Sequence, residues 1–343
     1  MAVSILHTAD LHLSSTAEAS VAEDTMGALA LICDTAQKRK VDFLLICGDL
    51  FDTCAEGVAV DFARRALAAL SHTRVILIPG NHDAMAAYPL ENAASHVFVL
   101  GQEPLVFEDK NVRFHFGLPN SSVQNSSFIE IGLWHGDLDH GQYMPIKKED
   151  IAKSGLDYLA LGHIHKGELP YLVGSTFVAY AGCPQGRGFD ETGEKGVLFG
   201  TVDKMNVAMD FLPIARRLYH TLSLCVTGMD TDAVLSAAAA LTNEKDRYKI
   251  ILTGSPEEPM AGAALSMLLL GRTVRFVDEM MPAASVWEKE DEMSVTGFFI
   301  RRIKQQMQGA TEAEAKLLGK ALQWGLKAQS EDVLFPEEDA HAD

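Results

Sequence analysis

The chain has 343 residues, a formal net charge of −18 and 48% hydrophobic residues. That length suits a large core plus one smaller domain, and the composition is that of a globular chain, not a disordered one. The acidic balance argues against a broad basic nucleic-acid surface, and no apolar run approaches the roughly 18–20 residues that span a bilayer.

The amino terminus, Met1-Ala2-Val3-Ser4, runs straight into a strand with no basic n-region and no small-residue cleavage site. A cytoplasmic chain with no membrane attachment is the expectation. Five cysteines (Cys33, Cys47, Cys54, Cys183, Cys225) form no C-x-x-C pair. Reduced thiols and no cysteine metal site follow.

Residues 4–8 read as the first strand, ending at Asp10-Leu11-His12. Side chains at i and i+2 of an extended segment share a face, so Asp10 and His12 can point the same way. Taken alone, the pair is better explained as a helix-capping aspartate beside a chance histidine. Residues 23–40 have helical periodicity and a basic end, Lys38-Arg39-Lys40, as suits a helix carboxyl terminus. A strand over 41–47 follows, apolar in consecutive positions as for burial on both faces. Gly48 turns the backbone and delivers Asp49 to the strand's carboxyl end, where open α/β sheets place their chemistry. The opening is thus a β-α-β unit with parallel strands and a right-handed crossover. Asp52 either orients His82 or another histidine, or caps the next helix, expected over 58–71.

A strand over 74–78 leads to Pro79-Gly80-Asn81-His82-Asp83, a tight turn that brings an amide oxygen donor and an imidazole forward. Residues 96–118 alternate in short apolar runs and read as a meander. His7 and His115 read as satisfied strand histidines. The strand over 128–134 ends at His135, with Asp137, Asp139 and His140 crowding its loop as solvated or supporting groups. A short helix over 151–155 precedes a strand over 158–161 and Gly162-His163-Ile164-His165, another i, i+2 pair. Further strands are expected over 171–173, 177–180, 196–201 and 208–212. Between them lies the glycine-rich turn Gly182–Phe189, whose Arg187 either faces a substrate phosphate or merely belongs to the turn.

After Pro213 no such junction recurs. Residues 219–277 read as a small β-α-β-α-β unit with helices over 231–241 and 258–270. Two amphipathic helices are expected over 288–307 and 311–328, then an acidic disordered tail over 331–343. The basic cluster Arg301, Arg302 and Lys304 reads as a solvated helix face.

Five strand-to-loop junctions therefore offer two carboxylates, one amide and four or five imidazoles, enough to hold two metal ions, with Asp49 as the expected bridge. Oxygen and imidazole donors suit manganese, iron or zinc, and the lack of thiolates argues against a structural zinc.

The order D-x-H, G-D, G-N-H-D, H, G-H-x-H resembles that of the calcineurin-like metallophosphoesterases. His7–His12, Gly48–Asp52, Ala160–Lys166 and Gly182–Phe189 are similar to the DNA-repair nuclease branch of SbcD type. The resemblance covers about 1–213 well and continues loosely beyond. It implies an α/β fold of four layers, two packed mixed β-sheets flanked by helices, over 1–213. A small α/β cap follows over 214–285, then carboxy-terminal helices and tail over 286–343. It implies two divalent ions, manganese first and iron or zinc otherwise. Asp10, His12, Asp49 and His165 would hold one, and Asp49, Asn81, His135 and His163 the other, with His82 and Asp52 catalytic. DNA is the implied substrate, and a coiled-coil ATPase of SbcC type the implied partner of the carboxy-terminal helices. A homodimer and a small-diester or cyclic-nucleotide phosphodiesterase are left open.

Overall fold

The computed structural model describes residues 2–52, 57–84, 88–204, 206–260, 265 and 272–330. The helix expected over 258–270 falls mostly outside these, and the acidic tail wholly so.

The first sheet carries β1 (Val3–Thr8), β2 (Phe43–Cys47), β3 (Arg74–Ile78) and β4 (Val97–Val99) in parallel order. Antiparallel β11 (Gly196–Val202) and β12 (Val207–Pro213) extend it beyond β1. The second sheet has the order β5 (Leu105–Phe107), β6 (Val112–Phe116), β7 (Ile129–His135), β8 (Tyr158–Gly162), β10 (Thr176–Tyr180), β9 (Tyr171–Val173). Strands β6, β7, β8 and β10 run parallel.

The period of two along each strand separates the two faces. Phe43, Leu45 and Cys47 join Tyr158 and Ala160 in a core between the sheets. Leu44 and Ile46 face the other way, against Leu29, Ile32 and Ala36 of α1 (Ala19–Arg39) and Ala59, Ala63 and Leu67 of α2 (Gly57–Ala68). Leu159 and Leu161 pack on Ile151 of α3 (Lys148–Ser154). The layers are helices, sheet, sheet, helix, the four-layer architecture that the resemblance implies.

Across the central core His7 ties one sheet to the other. One ring nitrogen lies 2.8 Å from the Tyr158 hydroxyl and the other 3.2 Å from the Leu161 carbonyl. Burial pushes its pKa down to about 3, so the ring is neutral. His115 is likewise engaged, 2.6 Å from buried Glu130.

The run over 96–118 is not one meander. Its first segment, β4, is the parallel edge of the first sheet, with Val75 opposite Val97, while β5 and β6 form a hairpin in the second. Gly101 and Pro104 lie in the link between them, where the chain leaves one sheet for the other. Helix α1 begins at Ala19, ahead of the expected start, and ends where Lys40 turns left-handed at φ 50°.

The chain divides into two compact units after Tyr219, Met1–Tyr219 and His220–Asp343. Residues 214–219 stay with the first because Arg216 reaches Glu23 and Arg217 reaches Asp24 on α1. In the second unit β13 (Tyr219–Cys225), β14 (Arg247–Thr253) and β15 (Thr273–Asp278) form a sheet covered by α4 (Thr231–Leu241). The stretch expected as one helix over 288–307 is broken. A short helix Ala284–Trp287 and a 3-10 turn Glu288–Asp291 precede α5 (Val295–Met307), which Ser294 caps by accepting from Gly297 N–H at 3.1 Å. Helix α6 (Glu312–Ser330) packs on α5 around Ile300, Ile303 and Leu322. Among the described residues no helix is long and apolar enough to cross a membrane.

Candidate metal centre

Parallel strands from both sheets end at one edge, and their loops interlock there. Asp10 N–H donates to Gly48 O at 3.1 Å, His12 N–H to Asp49 O at 3.0 Å, and Leu13 N–H to Leu50 O at 2.9 Å. The loops after β1 and β2 are therefore zipped together, which brings Asp10 and His12 beside Asp49. Asp10, His12, Asp49 and His163 hold φ of 55°, 47°, 48° and 97°, each a left-handed backbone in a residue with a Cβ. Such conformations cost about 1–3 kcal/mol apiece and persist where the surroundings over-determine them, as at functional sites.

Gly48, at φ 88°, admits the His135 ring, which would lie 2.2 Å from a Cβ there. Gly80 admits the Asp49 carboxylate, and Gly162 the Cys47 carbonyl. Glycine is required at all three junctions because another chain segment occupies the space of a side chain.

Asp10 accepts His163 N–H at 3.1 Å on both carboxylate oxygens and lies 3.9 Å from His165 Nε2. Asp49 Oδ1 accepts His82 N–H at 2.9 Å, while Oδ2 lies 3.3 Å from His135 Nε2 and 3.7 Å from His12 Nε2. His135 Nδ1–H donates to Cys47 O at 2.8 Å, turning Nε2 toward Asp49 and toward Asn81 Oδ1 at 2.9 Å. His163 Nδ1 lies 3.2 Å from the same Asn81 oxygen. His12 Nε2 and His165 Nε2 face each other at 3.3 Å. The structure thus gathers all seven expected donor residues, with Asp49 between the Asp10–His12–His165 group and the His135–Asn81–His163 group.

His82 sits at the rim, its ring 40% exposed, with Nδ1 3.2 Å from Asp52 Oδ1. Asp52 also lies 3.9 Å from His12 Nδ1, so it turns toward the histidines. Arg187 lies along the turn after β10, its guanidinium 3.5 Å from Glu191.

The electrostatics separate the two buried carboxylates. Burial, reinforced by the charge of Asp49, pushes Asp10 up to about 6, against the pull of His135 and His165. Burial also raises Asp49, but the hydrogen bond and charge of His135 outweigh it and bring Asp49 below the usual carboxylate range. Burial, then the charge of Arg187, takes His12 down to about 3 and keeps its ring neutral. A neutral ring keeps a lone pair for a cation.

Three supporting residues were hard to see in the sequence. Asp83, wholly buried, takes Gly80 N–H at 2.6 Å, Phe51 N–H at 3.2 Å and the Tyr88 hydroxyl at 2.7 Å, and so braces the Asn81–His82 turn. Its place directly after Asn81-His82 was the available signal. Tyr143 leans on His163 and His135, ring centroids 5.2 and 5.9 Å away. Glu191 takes His165 Nδ1–H at 2.5 Å, across a separation that no local pattern reveals.

The donor chemistry fits divalent cations. Carboxylates, an amide oxygen and imidazoles converge in one cluster, with Asp10, His12, Asp49 and His135 buried and Asn81 exposed at its mouth, and the facing nitrogens of His12 and His165 leave two ring nitrogens turned on the same space. Asp10, His12 and His165 form one group whose donor atoms lie within 4.8 Å of one another, and Asp10, Asp49 and His135 another.

Residues 3–167 match the family model described as calcineurin-like phosphoesterase. A Bacillus subtilis (strain 168) protein described as "Uncharacterized metallophosphoesterase YhaO" is 28% identical over 338 residues, covering 85% of this chain and 80% of that protein. Both findings support the calcineurin-like metallophosphoesterase superfamily. Similar solved structures include TT1561 of Thermus thermophilus, at TM-score 0.40 and 13% identity, covering 60% of this chain and 100% of that one. Another is GAP50, the anchor in the inner membrane complex of Plasmodium, at TM-score 0.36 and 11% identity, covering 76% and 99%.

Proposed function

We infer that this chain, whose residues 3–167 match the calcineurin-like phosphoesterases, is a two-metal phosphodiesterase that cleaves DNA. The superfamily implies a phosphoester hydrolase. The observation carrying the metal reading is the set of two carboxylates, one amide and four imidazoles at the shared edge of the two sheets, with Asp10, His12, Asp49 and His135 buried. Asp10, His12, Asp49 and His165 would hold one ion and Asp49, Asn81, His135 and His163 the other. When bound, divalent ions supply Lewis-acid polarisation of the phosphate and neutralise developing negative charge. Manganese is the proposed metal.

The chain's own residues do the rest. His82, held through Nδ1 by Asp52, presents Nε2 to carry a proton to the leaving oxygen. Arg187 offers a guanidinium for the non-bridging phosphate oxygens. Support for DNA comes from the motif blocks around Asp10, Asp49, His163 and Gly182. A coiled-coil ATPase partner is supported by apolar side chains left exposed on and beside α5 and α6, among them Met293, Val295, Phe298, Leu317 and Trp324. The net charge of −18 favours a second reading, hydrolysis of small diesters that need no extended basic surface.

A manganese-supplemented assay on single-stranded, double-stranded and hairpin DNA, run beside a small chromogenic diester, tests both. Cleavage of DNA is the expected outcome. Turnover of the small diester with intact DNA would establish the second reading instead.

A further inference from the structure

The segment over 183–195 closes around His165 from two sides. Its backbone carbonyl receives Cys183 N–H at 3.2 Å, Lys195 Nζ at 3.1 Å and the Cys183 thiol at 3.5 Å. Its ring is met by Glu191, which is 8% exposed. Glu191 Oε1 takes His165 Nδ1–H at 2.5 Å and lies 3.5 Å from Arg187 Nη2, while Oε2 takes Arg187 N–H at 2.7 Å. The turn is folded for this contact, since Glu191 N–H returns to Gly188 O at 3.1 Å.

We propose that Glu191 is a positioning residue: it fixes the tautomer and orientation of His165 so that Nε2 faces the metal centre, and it holds Arg187 beside that centre. The inference rests on the reading of His165 as a metal ligand. Its physical basis is that a carboxylate can only accept, so the proton must sit on Nδ1 and the lone pair on Nε2. Nε2 is the nitrogen found 3.3 Å from His12 Nε2. Glu191, His165 and Cys183 also lie close enough to be weighed as a metal group of their own. The chemistry is against it, because both Glu191 oxygens are already taken and burial pushes the Cys183 thiol up to about 12. Glu191 thus acts through His165.

Calorimetric titration with manganese of the full-length wild type, Glu191→Ala and Glu191→Gln tests this. Loss of a carboxylate behind a ligating histidine weakens binding by about 10–100-fold. Glu191→Ala should lose that much at one ion and keep the other, and Glu191→Gln, whose amide oxygen still accepts Nδ1–H but whose NH2 cannot accept Arg187 N–H, should recover part of the loss. Nitrogen-15 spectra of the zinc-loaded wild type should show the His165 proton on Nδ1, in slow exchange. A proton on Nε2, unchanged ion affinity in Glu191→Ala, or a Gln variant as weak as the Ala variant would overturn the role of Glu191. Should Glu191→Ala fail to fold, the Nδ1 proton and the Gln variant decide. A wild type that takes up no ion would overturn the metal reading itself, a result distinct from the others.

Discussion

Gly48→Ala leaves every candidate donor in place and should still disable the centre. A Cβ at residue 48 would lie 2.2 Å from His135 Nδ1 and 2.5 Å from its Cγ, so the ring must retreat by about 1.3 Å or more to reach ordinary contact. That shift breaks the donation from Nδ1 to Cys47 O and separates Nε2 from Asn81. The left-handed φ of 88° adds about 1–2 kcal/mol for any residue with a Cβ, and each lost hydrogen bond about 0.5–1.5 kcal/mol. The sum, about 2–5 kcal/mol, should appear as a lower urea midpoint at unchanged slope. Manganese titration should show loss of the ion assigned to His135, and turnover should fall by about 10²-fold or more, as for a catalytic group displaced by 1 Å. Gly101→Ala is the control, because nothing lies within 4 Å of its Cβ. It should change stability by no more than about 0.5 kcal/mol. A Gly48→Ala protein that binds ions and turns over like the wild type would refute the claim that the tight turn sets His135.

His82→Ala should retain both ions and lose about 10²–10⁴-fold in kcat, measured on a small diester. Loss of an ion would make His82 a ligand. His7 supplies a pH test. Its ordinary value of 6.5 drops to about 3 in the folded chain, so below pH 6.5 the unfolded state binds the extra proton and stability falls with falling pH. The loss is about 1.4 kcal/mol per pH unit, or about 2 kcal/mol at pH 5 relative to the neutral range. His7→Gln should unfold with a correspondingly shallower pH dependence between 6.5 and 5, and equal slopes would contradict a neutral buried ring.

The sequence was most informative where a strand is buried on both faces. Runs such as Leu44-Leu45-Ile46 have one reading, and the loop after each inherits its place at the sheet edge. Sheet membership was harder. Nothing local distinguishes Val97–Val99 from Leu105–Phe107, because pairing with β3 is decided by the long connection before β4 and the turn after it. The donors were visible because they stand directly after strands. Glu191 was not, since its partner His165 lies 26 residues earlier and meets it only through the fold of the intervening turn. Asp52, read as an orienting residue or a helix cap, turns toward His82 and His12.

Two ions are expected to share Asp49. The most direct measurement is an anomalous difference map from crystals of the full-length protein grown with manganese. Two peaks are expected, one among Asp10, His12, Asp49 and His165, the other among Asp49, Asn81, His135 and His163. A single peak, none, or density away from Asp49 would rule out a bridging Asp49.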